Sequence, residues 1–175
     1  MELVSSREVY RNAWMSVRED VVRMPDGSES VYGVVDKADF AVVIPRGDGG
    51  FWMVEQFRYP VRRRSWEFPM GGWPTGRSGS PLELARLELA EETGLGGGTW
   101  RHLGRLEQAN GYSSQGFHVF LATDLTPGAP QREATEQDMV HSFVTDAELL
   151  EMVRSGAVAD ATSLAALSLL RLEQT

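Results

Sequence analysis

Residues 17–23 (VREDVVR) and 30–35 (SVYGVV) interleave apolar and polar side chains at short period, and the PDGS between them puts Gly27 where a tight turn needs it. This pattern predicts an antiparallel hairpin. Residues 40–44 (FAVVI) and 51–57 (FWMVEQF) make a second strand pair around RGDGG, and further strands are predicted at 100–108, 116–122 and 139–144. Helical signals interrupt them. TDAELLEMVRSG reads as a capped helix from about Ala147, stopped by Gly156, and ATSLAALSLLRLEQ as a last one. Short strands with few helices, in mixed order, imply an α/β layered fold.

The most informative helix is SPLELARLELAEETGLGGG. It opens with Ser80 as N-cap, Pro81 at the first helical position and Glu83 completing a capping box, and it stops at Gly94. Leu82, Ala85 and Leu89 form one apolar stripe while Leu84, Leu87 and Ala90 form another, which predicts a helix packed between two layers. At about 100° per residue, Glu91 and Glu92 fall roughly 60° and 40° to either side of Glu88, so the three carboxylates share one arc. Like charges at this spacing repel, and beside buried leucines their pKa values would rise without a compensating cation. Oxygen-seeking Mg²⁺ is the natural compensator, whereas a solvated, Glu-rich helix face would need none. Just upstream, WEFPMGGWPTGRSGS supplies a glycine- and proline-rich stretch able to bend closely around a ligand.

Composition narrows the setting. A chain of 175 residues, 42% hydrophobic, most simply forms one domain with a good core. With no cysteine, it has neither a disulfide scaffold nor a cysteine-rich zinc site, which fits a reducing compartment. No apolar run approaches the roughly 20 residues of a membrane span and the start lacks an apolar signal core, so a cytoplasmic protein is expected. Its 17 Lys and Arg against 25 Asp and Glu leave a net charge of −8, with no general footprint for nucleic acid. Against that background VRRRSW, with Arg62, Arg63 and Arg64, is either a solvated loop or an anion-attracting rim. Trp14 and Trp73 are candidates to stack a nucleobase, or else core material. His102, His118 and His141 are scattered, without metal-ligand spacing.

LELAEETGL resembles the second half of the Nudix hydrolase signature, in which an Arg-Glu-aliphatic-x-Glu-Glu-x-Gly-aliphatic run follows a Gly and an isolated Glu. Here Leu87 stands in place of the family's Arg and Gly79 in place of its isolated Glu, one residue further from Gly72 than the family spacing. VEQFRYPV followed by WEFPMGG, and the closing TDAELLEMVRSGAVADATSLAALSLL, are similar to the ADP-ribose pyrophosphatase-like branch. ANGYSS departs from it, with Asn110 where that branch has Pro.

The resemblance implies an α/β (α+β) Nudix fold, a mixed β-sheet layer sandwiched between helices with an N-terminal β-hairpin extension. Residues 1–38 would form N-terminal strands that serve as a dimerisation element and 39–175 the hydrolase domain, within one structural domain overall. Carried over by position, Glu88 and Glu92 become the principal metal ligands, Glu91 shares a second ion, and Met70 adds its backbone carbonyl. Arg58 would contact the diphosphate and Glu67 would orient the site; Trp73 is a substrate-binding candidate from its place in the glycine-rich loop, not from the resemblance. The catalytic base would be Glu136 in REATEQDMVHSFV, with Glu133 and Asp138 as neighbours and Glu91 as the alternative within the helix. The implied activity is Mg²⁺-dependent (or Mn²⁺-dependent) hydrolysis of a small nucleoside diphosphate derivative, of the ADP-ribose or nucleotide sugar type, by a homodimer with no nucleic-acid or membrane partner. The alternative is a non-catalytic Nudix-fold nucleotide sensor.

Overall fold

The strand FAVVI is apolar at every position because both of its faces are covered. In the computed structural model, which describes residues 1–73, 76–132 and 138–173, this run opens β4 (Phe40–Gly47). Phe40, Val42 and Ile44 pack on one side with Phe51, Met53, Phe117, Val119, Leu149 and Leu170. Ala41 and Val43 pack on the other with Leu84, Ala85, Leu89, Phe120 and Ala122. On the first side Leu149 comes from α2 (Asp146–Ser155) and Leu170 from α3 (Ala161–Leu172), and on the second Leu84, Ala85 and Leu89 come from α1 (Pro81–Thr93), so the sheet lies between helices.

β4 pairs in parallel with β9 (Gly116–Thr126), while β5 (Gly50–Arg58), β7 (Met70–Gly72), β8 (Gly96–Glu107) and β10 (Val140–Thr145) complete a mixed sheet in the order β10-β5-β4-β9-β8. β6 (Arg63–Glu67) pairs with β5, and β7 with β4. A separate antiparallel sheet joins β1 (Glu2–Arg11), β2 (Ser16–Arg23) and β3 (Glu29–Asp36). It is stitched to the larger body through Val35, whose N–H donates to the Tyr112 carbonyl and whose carbonyl accepts from the Ser114 N–H.

Local signals form as their chemistry dictates. Ser80 and Thr145 each close a capping box, and Gly94 and Gly156 end α1 and α2 in the left-handed conformation that glycine adopts without strain.

Two readings change. The first concerns α1, which lies on one face of the sheet rather than between two layers. Its buried positions are Leu84, Ala85, Glu88, Leu89, Glu92 and Thr93, while Leu87 and Ala90 are half-buried. The face that packs is therefore the one carrying the carboxylates. Second, VRRRSW, open between a solvated loop and an anion-attracting rim, is a turn leading into a strand, with its three arginines exposed. Arg62 ends a 3₁₀ turn (Tyr59–Val61) at φ 55° with its guanidinium 3.8 Å from the Tyr59 ring centre, and Arg63 and Arg64 enter β6. Arg64 there bridges Glu55 and Asp138. VREDVVRM forms its hairpin strand as expected and is the central strand of its sheet. Both of its edges are paired within the chain, so a second copy could meet only the faces or the outer edges of that sheet.

Candidate active site

The turn between β1 and β2, the segment after β3, the glycine-rich segment and the start of α3 enclose a cleft of about 1080 Å³, a size suited to a nucleotide derivative. Trp14 reaches it from the β1–β2 turn, Arg58 from the end of β5, Glu67 from the end of β6, and Met70, Gly71 and Trp73 from β7 and beyond. A buried bond holds the α3 side in place: Ser163 Oγ accepts from the Phe68 N–H at 2.9 Å.

Behind the wall formed by Met70 and Gly71 stands α1. Glu88 is 8% and Glu92 1% exposed, one turn apart on the packed face. Glu92 accepts from the Met70 N–H at 3.2 Å. A Cβ added at Gly71 would overlap the Glu88 carboxylate, so glycine here leaves that group room to lie against β7 where it stands. Glu91, half-buried, lies to the side. None of the three lines the cleft directly, and among the described residues no three His, Asp or Glu side chains converge into a ready-made cage. Two carboxylates buried in one helix turn nevertheless raise each other's energy, and a hard divalent cation is the partner their chemistry fits. With the Met70 backbone beside them, the residues present suit such an ion.

Arg58 and Glu67 form a fork. Arg58 Nε lies 3.0 Å from both Glu67 oxygens and Nη2 lies 2.5 Å from Oε2. Glu67 is 2% exposed and the Arg58 side chain 39%. Burial by itself would lower the Arg58 pKa, but the bonds to Glu67 and the charges of Glu67, Glu92 and Asp160 hold it above the ordinary arginine value. The guanidinium is thus a fixed cation at the cleft wall.

Trp73 lines the cleft, and its position accounts for Gly79. A Cβ on Gly79 would lie 2.6 Å from Trp73 Cζ2, so the indole occupies the space that a side chain there would need. Trp14, 76% exposed, stands at the rim. Glu133 and Glu136 lie outside the described residues. Asp138 is described and is held by Arg64, through Nη1 to its carboxylate at 2.7 Å and through Nη2 to its carbonyl at 3.0 Å.

Sequence reasoning missed several residues here. Gly71 was visible only as one of several glycines, and Arg132, which bonds the Glu92 carbonyl, carried no signal at all. The scattered histidines are partly brought together as well. His102 Nε2 and His118 Nδ1 lie 3.1 Å apart across β8 and β9, beside the Asp39–Arg105 pair.

Comparison with known proteins agrees with this architecture. Residues 36–166 match the family model of the NUDIX domain, and residues 1–35 that of the nucleoside diphosphate sugar hydrolase N-terminal domain. An ADP-ribose pyrophosphatase of Mycobacterium tuberculosis (strain ATCC 25618 / H37Rv) is 34% identical over 166 residues, covering 94% of this chain and 80% of the relative. An ADP-ribose pyrophosphatase of Bacillus subtilis (strain 168) is 28% identical over 173 residues, covering 98% and 92%. A solved structure described as an ADP compounds hydrolase shares the fold, with a TM-score of 0.84 at 20% identity over 97% of this chain and 91% of its own.

Proposed function

The chain belongs to the Nudix family and is a pyrophosphohydrolase of nucleoside diphosphate derivatives, and from that premise we propose that it cleaves ADP-ribose or a nucleotide sugar at the diphosphate, using Mg²⁺ or Mn²⁺, into two phosphorylated products. The observation that carries this reading is the burial of Glu88 and Glu92 against the strand that walls a cleft containing a fixed Arg58. A diphosphate resists attack because its own oxygens repel a nucleophile; a bound divalent ion supplies neutralising charge and a more acidic water. Glu88 and Glu92 would hold that ion, with Glu91 and the Met70 carbonyl completing the set.

Among the described residues Arg58 spends Nε and Nη2 on Glu67, which leaves its Nη1 edge to meet a diphosphate oxygen in a fixed orientation. Glu67 is in this reading a positioning residue. Trp73, held against Gly79 at the cleft wall, offers a flat apolar surface to the base or sugar. Glu136 takes the proton from the attacking water, Glu91 being the second candidate.

The test is one panel. Purified protein with Mg²⁺ is given ADP-ribose, nucleotide sugars and dinucleotides, and products are separated by chromatography. Cleavage of ADP-ribose to AMP and ribose 5-phosphate is the expected result. No turnover of any member, or cleavage away from the diphosphate, sinks the reading.

We also infer a homodimer, acting in the cytoplasm. β1 is exposed along its whole length, and Leu3, Val9, Tyr10 and Val31 leave apolar surface on the N-terminal sheet. Among the described residues no helix is long and apolar enough to cross a membrane. Light scattering that finds only monomer at micromolar concentration would contradict the dimer.

A further inference from the structure

The last carbonyls of a helix have no partner within it, and at α1 those carbonyls belong to the residues that carry the metal-binding carboxylates. The Ala90 carbonyl is taken by the Gly94 N–H at 2.9 Å, through the left-handed cap. The next two are taken from outside the helix. The Gln131 N–H donates to the Glu91 carbonyl at 2.9 Å, and Arg132 Nε donates to the Glu92 carbonyl at 3.1 Å.

This docking is close. A Cβ on Gly94 would overlap the Gly128 carbonyl and lie 2.7 Å from the Pro130 nitrogen, and a Cβ on Gly128 would lie 2.7 Å from the Gly94 oxygen. Residues 128–132 thus form a strap across the end of α1.

Arg132 also reaches further. Its Nη2 lies 2.8 Å from His141 Nδ1, on β10. A guanidinium only donates, so this nitrogen of His141 must accept and the ring must be neutral, with its proton on Nε2. Burial first, and then the Arg132 charge, hold the His141 pKa below its ordinary value, in keeping with that state. His141 is itself set in the sheet opposite Val54 of β5, with its ring beside Trp52.

We propose that Arg132 is a positioning residue for metal binding, which ties the Glu92 carbonyl to His141 and so fixes the last turn of α1 and the directions in which Glu91 and Glu92 present their carboxylates. This rests on the reading that Glu88 and Glu92 hold the ion. Without the tie, the Glu92 carbonyl loses its partner while Gly94 and Gln131 still hold the two before it, so the turn loosens at Glu92 and the direction of that ligand spreads. Arginine suits the task because its planar fork offers donors in two directions from one rigid group, which lysine does not.

The experiment measures Mn²⁺ binding without substrate, from the electron paramagnetic resonance signal of the free ion, alongside thermal melting and the Mg²⁺ dependence of turnover. Arg132→Ala is expected to weaken Mn²⁺ binding about tenfold, as loss of a group that orients a ligand does. Arg132→Lys should recover part of that loss. KM at saturating Mg²⁺ should stay within about twofold of wild type, since Arg132 does not line the cleft. A lowered melting temperature with wild-type Mn²⁺ affinity would make Arg132 a merely structural residue and overturn the proposal. Should Arg132→Ala fail to fold, His141→Leu decides: it keeps the bond to Glu92 and removes only the outer anchor, so severalfold weaker binding supports the proposal and unchanged affinity overturns it. Glu92→Gln is the control. If that variant binds Mn²⁺ like wild type, the metal assignment itself fails and the proposal falls with it, a result distinguishable from failure of Arg132 alone.

Discussion

Glu92→Gln is expected to lower kcat about a thousandfold at saturating Mg²⁺, equivalent to about 4 kcal/mol of transition-state stabilisation. The amide matches the carboxylate in size and keeps an oxygen for the Met70 N–H, so the loss isolates the charge. Glu88→Gln should act alike, since Gly71 leaves space for a group of that size and no more. Stability in a chelator should hold or rise, because removing one of two buried like charges one turn apart relieves repulsion. Glu136→Gln makes a useful contrast, with kcat down at least about a hundredfold but Mn²⁺ affinity retained, as for a base rather than a ligand. Near-normal turnover in both helix variants would show that Glu88 and Glu92 serve packing alone.

Arg58→Ala is expected to damage both fold and reaction. Glu67 is 2% exposed and accepts both arms of the Arg58 fork, so the truncation leaves a buried carboxylate without its counter-charge. Breaking such a pair costs about 3 kcal/mol, which in a chain of this size lowers the melting temperature by roughly 10 °C. KM should rise as well, through loss of the cation at the cleft wall. A double variant, Arg58→Met with Glu67→Leu, separates the two effects. Replacing both partners with apolar groups of similar volume should restore most of the stability while activity stays low. If the double variant recovers activity too, Arg58 has no role toward the substrate. If Arg58→Ala melts within a degree or two of wild type, the fork does not hold Glu67 in the fold.

How much of this could be read from the chain depends on how far each determinant lies from its partner. The capping box at Ser80 and the stops at Gly94 and Gly156 involve neighbours within a few residues, and all three form as expected. FAVVI announced a strand through its own composition. By contrast β1 carries no burial pattern because all ten of its residues are exposed, and it forms by pairing with β2 alone. VRRRSW stayed open between a solvated loop and an anion-attracting rim because nothing local shows that Arg64 will meet Asp138, 74 residues later.

The candidate site divides along the same line. One stretch of helix was enough to determine that Glu88, Glu91 and Glu92 share an arc, because helical pitch is a property of the backbone alone. Which of them is buried was decided only when the sheet covered α1, and the buried pair is Glu88 and Glu92. Likewise the need for glycine at Gly71 exists only because β7 meets Glu88, and the vacancy at Gly79 is filled by an indole six residues earlier in the chain. Arg132 stands 40 residues from the carbonyl it holds. The sequence by itself determined the carboxylate-bearing helix, its caps and the family it resembles, since these rest on short-range geometry and residue type. Tertiary structure alone decided the fork at Arg58, the depth of the carboxylates and the strap across α1, because burial and long-range hydrogen bonds arise only when distant segments close on one another.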